Sequence, residues 1–318
     1  MAYAQGGLIA ATDYNGFVGP DPSTTAGQLN AVWATGNGQY GYGQTPVAQS
    51  AATAGLVTAT QWSTLINTLN NVNAHQSGSG TGISAVTTGS TIAYLSTLST
   101  SLSTIYTNHL NFASQGSTLA GATFSPNFTV ADTASAETWT FTRTVTFASG
   151  DAARYFFNAG GQLNFVTISA TNNDGTSRSG DWVTLIATNL GSINAIRATT
   201  NGGIGGTGGT INTNNTSFGY YNGTTTSTIT KQITSTTSLY TGDYITVGFR
   251  NSAANASGHG DNGTTFYLDF TVYSAARTDP TLGAVFNDSI NVTWNHRIDI
   301  VYPETTYLAS SWGTPTIT

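Results

Sequence analysis

The sequence predicts a mostly β protein: a C-terminal antiparallel β-sandwich of jelly-roll type, preceded by an extended arm and an α-helical hairpin or coiled-coil region. Three observations predict it. From about residue 124 onward, apolar residues alternate with Thr and Ser at period two, the mark of half-buried strands. Between 58 and 113, apolar residues instead recur at intervals of three and four, the mark of helices. Only 7% of the 318 residues are charged, against about 25% in an average soluble protein, so the polar faces consist of Thr, Ser, Asn and Gln. The chain divides accordingly into 1–55, an extended arm with a short helix; 56–125, a helical docking or oligomerisation region; and 126–318, the β-sandwich domain.

Within the arm, a short helix is expected over 26–34, with Leu29, Val32 and Trp33 on one face. The following stretch GNGQYGYGQTPV (36–47) alternates Gly with Tyr. It reads either as a loop packed on a neighbour or as an aromatic strip for sugar. Residues 58–75 form a helix opened by Thr58 and Gln61 at capping-box spacing, and Trp62, Leu65, Leu69 and Val72 define its apolar face. A Gly/Ser break at 76–83 leads to a second helix over 88–113, in which Leu95, Leu98, Leu102, Ile105, His109 and Phe112 alternate steps of three and four, the a/d seam of a coiled coil. Its flanks are Ser, Thr and Asn, modest helix formers that require packing to hold them. That packing is either an intramolecular hairpin or pairing with other chains. In the second case Trp62, Leu65, Leu69, Leu95, Leu98, Leu102 and Ile105 form the assembly interface. His109 reads as a core polar residue.

The β region opens with Trp139, Phe141, Arg143, Val145 and Phe147 on one face and Thr138 to Thr146 at every second position on the other. Further strands are expected at 154–158, 162–170, 228–233, 243–250, 265–273 and 289–302. Asn158-Ala159-Gly160-Gly161 supplies a hairpin turn between the first two. In the last strand Ile290, Val292, Trp294, His296, Ile298 and Ile300 share a face. A short helix is inserted at 181–190, with Trp182, Leu185 and Ile186 inward and Gly191 as its stop.

Composition narrows the function. Asp13 and Asp21 are the only formal charges before Asp132, and the eight basic residues all lie from Arg143 onward. A net charge of −6 with a single lysine speaks against a nucleic-acid partner, which requires cations to displace phosphate counterions, and against attraction to an anionic membrane. Without cysteine there is neither a disulfide framework nor a thiolate metal site. No secretory signal and no membrane-spanning run is visible, so work outside a cell implies export without an ordinary signal peptide, a condition that release by lysis inside an assembled particle satisfies.

Candidate chemistry is sparse. Gly203-Ile204-Gly205-Gly206-Thr207-Gly208 fits G-x-G-x-x-G but lacks a βαβ setting. Asn172-Asn173-Asp174-Gly175 and His259-Gly260-Asp261-Asn262-Gly263 read as turns, with too little charge for calcium. His296 and Asp299 lie on opposite faces of a strand, and no His spacing suits a metal. No catalytic residue, cofactor or metal is expected. Four aromatic residues, Trp182, Tyr220, Tyr221 and Tyr240, are candidates for glycan stacking if they reach the surface.

Three segments carry a family resemblance: GQLNAVWATGNGQYGYGQT (27–45), ARYFFNAGGQLNF (153–165) and VYPETTYLASSWGTPTIT (301–318). In these the sequence resembles virion structural proteins of tailed bacteriophages, notably those infecting cyanobacterial and other aquatic bacteria. The resemblance spans most of the chain and marks the group rather than a role within it. It implies a tail-fibre, neck, collar, baseplate or capsid-surface part, located in the virion and partnered by itself and by other virion proteins, as a trimer if it is a fibre. It carries no catalytic residues over. The expected function is a non-enzymatic structural component of the particle. A host-receptor (glycan) binding adhesin or capsid decoration protein is the alternative, and a polysaccharide-degrading tail enzyme the remote one.

Overall fold

A computed structural model describes residues 11–50, 57–90, 92, 95–131, 135–200, 209–253, 263–276 and 289–318. Four helices come first: α1 (Ala11–Val18), α2 (Asn30–Trp33), α3 (Ala59–Ser77) and α4 (Leu95–Thr107). They are followed by β1 (Gln115–Ala120), β2 (Asn127–Val130), β3 (Glu137–Thr146), α5 (Gly150–Asn158), β4 (Gln162–Asn172), and α6 (Ser177–Thr184), which runs into a π-helical turn (Leu185–Leu190). The chain closes with β5 (Ile193–Ile196), β6 (Thr210–Asn214), β7 (Thr228–Thr234), β8 (Tyr244–Asn251), β9 (Thr265–Ser274), β10 (Ile290–Pro303) and β11 (Thr316–Ile317).

The protein is β-rich, and its strands build two antiparallel sheets. In the five-strand sheet the order is β1-β10-β4-β5, with β2 also paired to β10; in the six-strand sheet it is β11-β3-β9-β8-β7-β6. The long β10 organises the first sheet because Ile290, Val292, Trp294, His296, Ile298 and Ile300 are all buried at alternate positions. A bulge on β4 leaves Ile168 unmatched between Ser169, opposite Asn295, and Thr167, opposite His296, and this is why Ile168 is exposed on a strand that is otherwise largely covered. Rings from the two sheets meet. Phe141 of β3 and Phe270 of β9 each lie 5.6 Å from Trp294 of β10, and Phe165 of β4 lies 4.9 Å from Phe270.

The core does not stop at residue 126. Buried side chains from Tyr14 to Trp312 form one cluster that includes the apolar faces of α3 and α4. The three segments quoted above for the family resemblance converge within it. Arg154 of α5 donates to the carbonyl oxygens of Tyr40 and Thr35, each at 2.8 Å, and Asn158 donates to that of Gly41 at 3.0 Å. Gln44 and Ala309 bond reciprocally at 2.8 Å, and the Ser311 hydroxyl donates to the Tyr42 carbonyl at 2.7 Å. Two glycines permit this close approach. A Cβ on Gly41 (φ 93°) would strike the Thr35 carbonyl, and one on Gly43 (φ 67°) would overlap the Tyr155 ring. The Gly/Tyr stretch is therefore an internal loop.

Several expectations need correction. Residues 154–158 are helical, not a strand. Ser149 caps α5 by accepting from Ala152 N at 3.0 Å, Asp151 sits in the first turn, and the helix buries both sides of a short apolar run whose period alone is ambiguous. Asn158-Ala159-Gly160-Gly161 accordingly links a helix to β4. The second seam helix spans only Leu95–Thr107, so His109 and Phe112 lie beyond it and the seam is too short for a coiled coil. Its end is fixed by tertiary bonds: the Tyr42 hydroxyl takes the His109 carbonyl at 2.8 Å and Ala113 N takes the His75 carbonyl at 2.7 Å. The arm helix shrinks to α2, and α1 forms where none was expected, because Tyr14 and Phe17 pack on Trp62 at 5.5 and 6.1 Å. The Thr58–Gln61 capping box and the Gly191 stop (φ 59°) form as expected. The 203–208 and 259–263 motifs lie outside the described residues.

Candidate interaction surface

Among the described residues, six of the charged groups are buried: Arg154, Arg178, Lys231, Asp243, Asp299 and Glu304. Arg178 is fully buried, its Nη2 donating to Ser274 Oγ at 2.5 Å and the Ala275 carbonyl at 3.0 Å, with Asp243 at 3.5 Å. Lys231 is buried too and donates to the Leu190 carbonyl at 2.7 Å at the end of the π-helical turn. Removal from water lowers its ammonium to about 8. Glu304 bonds His75 Nδ1 at 2.9 Å and accepts from Thr306 N at 2.6 Å. The His75 ring is held below its ordinary range by burial, partly offset by that carboxylate. Arg154 and Asp299 are buried as well, the latter bonded by Arg297 at 2.7 Å.

Most of what remains outside is hydroxyl, amide and phenol, with single carboxylates such as Asp21, Asp151 and Asp174 exposed among them. The outer face of the six-strand sheet shows this most fully. Register lines up three rows across β3, β9 and β8: Thr138, Tyr273 and Tyr244; Thr140, Thr271 and Thr246; and Thr144, Tyr267 and Arg250. Tyr244 and Tyr273 stack at 4.7 Å, and the Arg250 guanidinium lies 3.8 Å from the Tyr267 centroid. An ion pair on this face, Arg250 to Asp269 at 2.8 Å, is self-neutralising, and Thr142 adds a 2.7 Å bond to the same carboxylate. Desolvation opposes these bonds but does not prevail, and the Asp269 carboxyl sits below its ordinary value. Along α4 the exposed side carries Ser99, Thr100, Ser103 and Thr104, whose hydroxyls at 100, 103 and 104 back-bond to the carbonyl four residues earlier.

The expected site residues lie elsewhere. Trp62, Leu65, Leu69, Leu98, Leu102 and Ile105 are buried in the chain's own core, and Leu95 is half-buried against it. The apolar face offered for assembly is thus already covered from within. The four glycan candidates are corrected in the same way: Trp182, Tyr220, Tyr221 and Tyr240 are all buried. Tyr220 stacks on Phe157 at 4.6 Å, and the Tyr221 hydroxyl bonds Asn158 Oδ1 at 2.6 Å and the Gly38 carbonyl at 2.8 Å, so neither ring has a face for sugar. Alternation had exposed no such tyrosines as candidates, yet Tyr244, Tyr267 and Tyr273 are half-exposed on the outer face. Their alternation with apolar neighbours, Ile245, Val247 and Phe249 in β8 and Phe266, Leu268, Phe270 and Val272 in β9, is the available signal.

Residues 172–175 make a turn: Asn172 Oδ1 accepts from Gly175 N at 2.7 Å, and Gly175 has φ 74°. Among the described residues no three His, Asp or Glu side chains cluster as metal ligands, and no helix is long and apolar enough to cross a membrane. Compared with known proteins, the chain matches no family model, no curated protein and no solved structure.

Proposed function

We propose that this chain is a non-enzymatic structural component of a tailed-phage virion, at the tail or neck, whose two sheets form a jelly-roll-like sandwich. One observation supports the reading above others. A chain with few charges turns many of them inward and leaves a broad, nearly neutral face of threonines and tyrosines on the six-strand sheet. Such a face is sealed against another protein without stripping ions of water, a cost of several kcal/mol per ion. Polar hydroxyls and half-exposed tyrosines suit the mixed hydrogen-bonding and ring contacts of protein interfaces. The partners are further copies of the chain and other virion proteins. Because the seam leucines are internal, contact falls to the outer sheet face and the polar side of α4 rather than to the seam.

A receptor-binding adhesin is the second reading. What favours it is the row of half-exposed Tyr244, Tyr267 and Tyr273 on that same face, since rings stack on sugars.

Immunogold microscopy of purified phage particles, with antibody raised against this chain, tests the first reading. Label concentrated on the tail or neck is expected. Particles free of label, with all antigen in the unassembled fraction of the lysate, would overturn it.

A further inference from the structure

Among the described residues, the Arg197 guanidinium makes no ion pair and no hydrogen bond, and its Nε is shut from solvent without an acceptor. Its nearest recorded partner is the Phe112 ring, 5.9 Å away. Buried donors are ordinarily satisfied, so an orphan on a cation calls for an explanation. Arg197 lines a cavity of about 420 Å³, together with Gln76, Asn111, Phe112, Thr199 and Thr200. This lies toward the small end of the ~300–1,000 Å³ range of ligand sites.

The wall holds a second orphan of opposite kind. Gln76 is 6% exposed, and its Nε2 is committed to the Tyr42 hydroxyl at 2.9 Å and the Ile105 carbonyl at 3.0 Å, while its Oε1 accepts nothing. The cavity is also built rather than incidental. A Cβ on Gly160 would collide with the Phe112 ring, and one on Gly219 would meet the Arg197 carbonyl at 2.6 Å, so two glycines let the walls close. The turn from Arg197 is fixed by Arg197 N to the Thr200 carbonyl at 2.8 Å, and by Tyr220 N to the Arg197 carbonyl at 2.9 Å.

From this geometry we infer that the cavity binds a carboxylated sugar of uronic-acid type. Arg197 is the one formal charge on the wall, and a planar guanidinium matches a carboxylate two bonds to two. The sugar's hydroxyls would donate to Gln76 Oε1 and exchange bonds with Asn111, Thr199 and Thr200, while its ring covers Phe112. An inorganic phosphate can answer Arg197 but has no ring to cover Phe112 and too short a reach to serve Asn111, Thr199 and Thr200 as well as Gln76, and a neutral sugar leaves Arg197 unanswered. The inference does not depend on the assembly reading, because the cavity is lined by the end of α3, residues 110–112 after α4, the end of α5 with Gly160, and residues 197–200, none of them on the outer sheet face.

Saturation-transfer NMR on the full chain tests it, with D-glucuronate and D-galacturonate against D-glucose, D-galactose, acetate, glutamate and inorganic phosphate. Saturable binding of a uronate that exceeds every other compound is expected, and Arg197→Gln should weaken it at least tenfold. Arg197→Lys, which keeps the charge but not the fork, should fall between the two. Equal binding of glucose, equal binding of acetate, glutamate or phosphate, or no saturable uronate signal would each overturn the proposal on the unmodified protein alone. Unchanged uronate binding in a folded Arg197→Gln chain would also overturn it.

Discussion

His296 sits inside a cage of rings. Phe124, Phe141, Phe165, Phe270 and Trp294 have centroids 5.0–5.7 Å from its own. Arg143 Nε donates to its Nε2 at 3.2 Å, so that nitrogen carries no proton. Burial first, and the neighbouring guanidinium second, lower the imidazole to about 3. In the unfolded chain it titrates near its usual 6.5. Between those values the unfolded state binds a proton that the folded state refuses, so stability is complete above about pH 6.5 and declines as pH falls, by up to ~1.4 kcal/mol per unit. His75 and His109 are lowered as well, each chiefly by burial, and add in the same sense. Asp174 and Asp269, held below their ordinary value, add a further loss at more acid pH. Urea denaturation midpoints should therefore drop from pH 6 to 4, with a shallower drop in His296→Phe, while the small change from pH 8 to 7 follows Lys231, whose lowered ammonium favours the folded state at the higher pH. An equal slope in that variant would remove His296 from the account.

At the scale of elements, α3 and α4 are held by what they bury. Leu98 and Leu102 belong to the same cluster as the sheet residues Trp294 and Phe270. Leu98→Asp with Leu102→Asp places two unpaired carboxylates in that core, at several kcal/mol each, against a total stability of about 5–15 kcal/mol for an ordinary domain. Helical and aromatic circular dichroism should be lost together. A variant that kept its sheet while losing only helix would show that the helices form a separate unit. The same dependence on packing explains which elements were legible in the sequence. Strong alternation located β3, β4 and β7 to β10, and a capping box located α3, because those signals are local. The short β1, β2, β5, β6 and β11 carry little pattern, since each is an edge or a fragment defined by the strand it joins. Residues 154–158 misled because an apolar run buried on both sides has no period, although Ser149 and Asp151 offered an N-terminal signature.

Across the whole molecule, the charge distribution is the property that composition announced and only three dimensions completed. Sequence gave the scarcity of charge, but not that Arg154, Arg178, Lys231, Asp243, Asp299 and Glu304 would be internal. Nor could it place Tyr220, Tyr221 and Tyr240, which lie outside the strands and are buried by tertiary contacts that no local period announces. The consequence concerns self-association. β11 pairs with β3 only at Val145 and Thr146, and Thr144 bonds Thr318, so among the described residues the rest of this edge has no partner strand. Natural edges are commonly guarded by lysine or proline; this one carries Thr138, Thr140 and Thr142, with Arg143 turned toward His296. Contacts built from such groups contain few charges for salt to screen over a Debye length of about 10 Å at 0.1 M. An oligomer of this chain should therefore keep its mass by light scattering from roughly 0.05 to 1 M sodium chloride, a range that weakens charge-driven assemblies. Thr138→Lys with Thr140→Lys, both at exposed positions, should dissociate it while shifting monomer stability by no more than about 0.5 kcal/mol per site. Dissociation of the unmodified protein by salt alone would mean that the few outward charges, not the neutral face, hold the copies together.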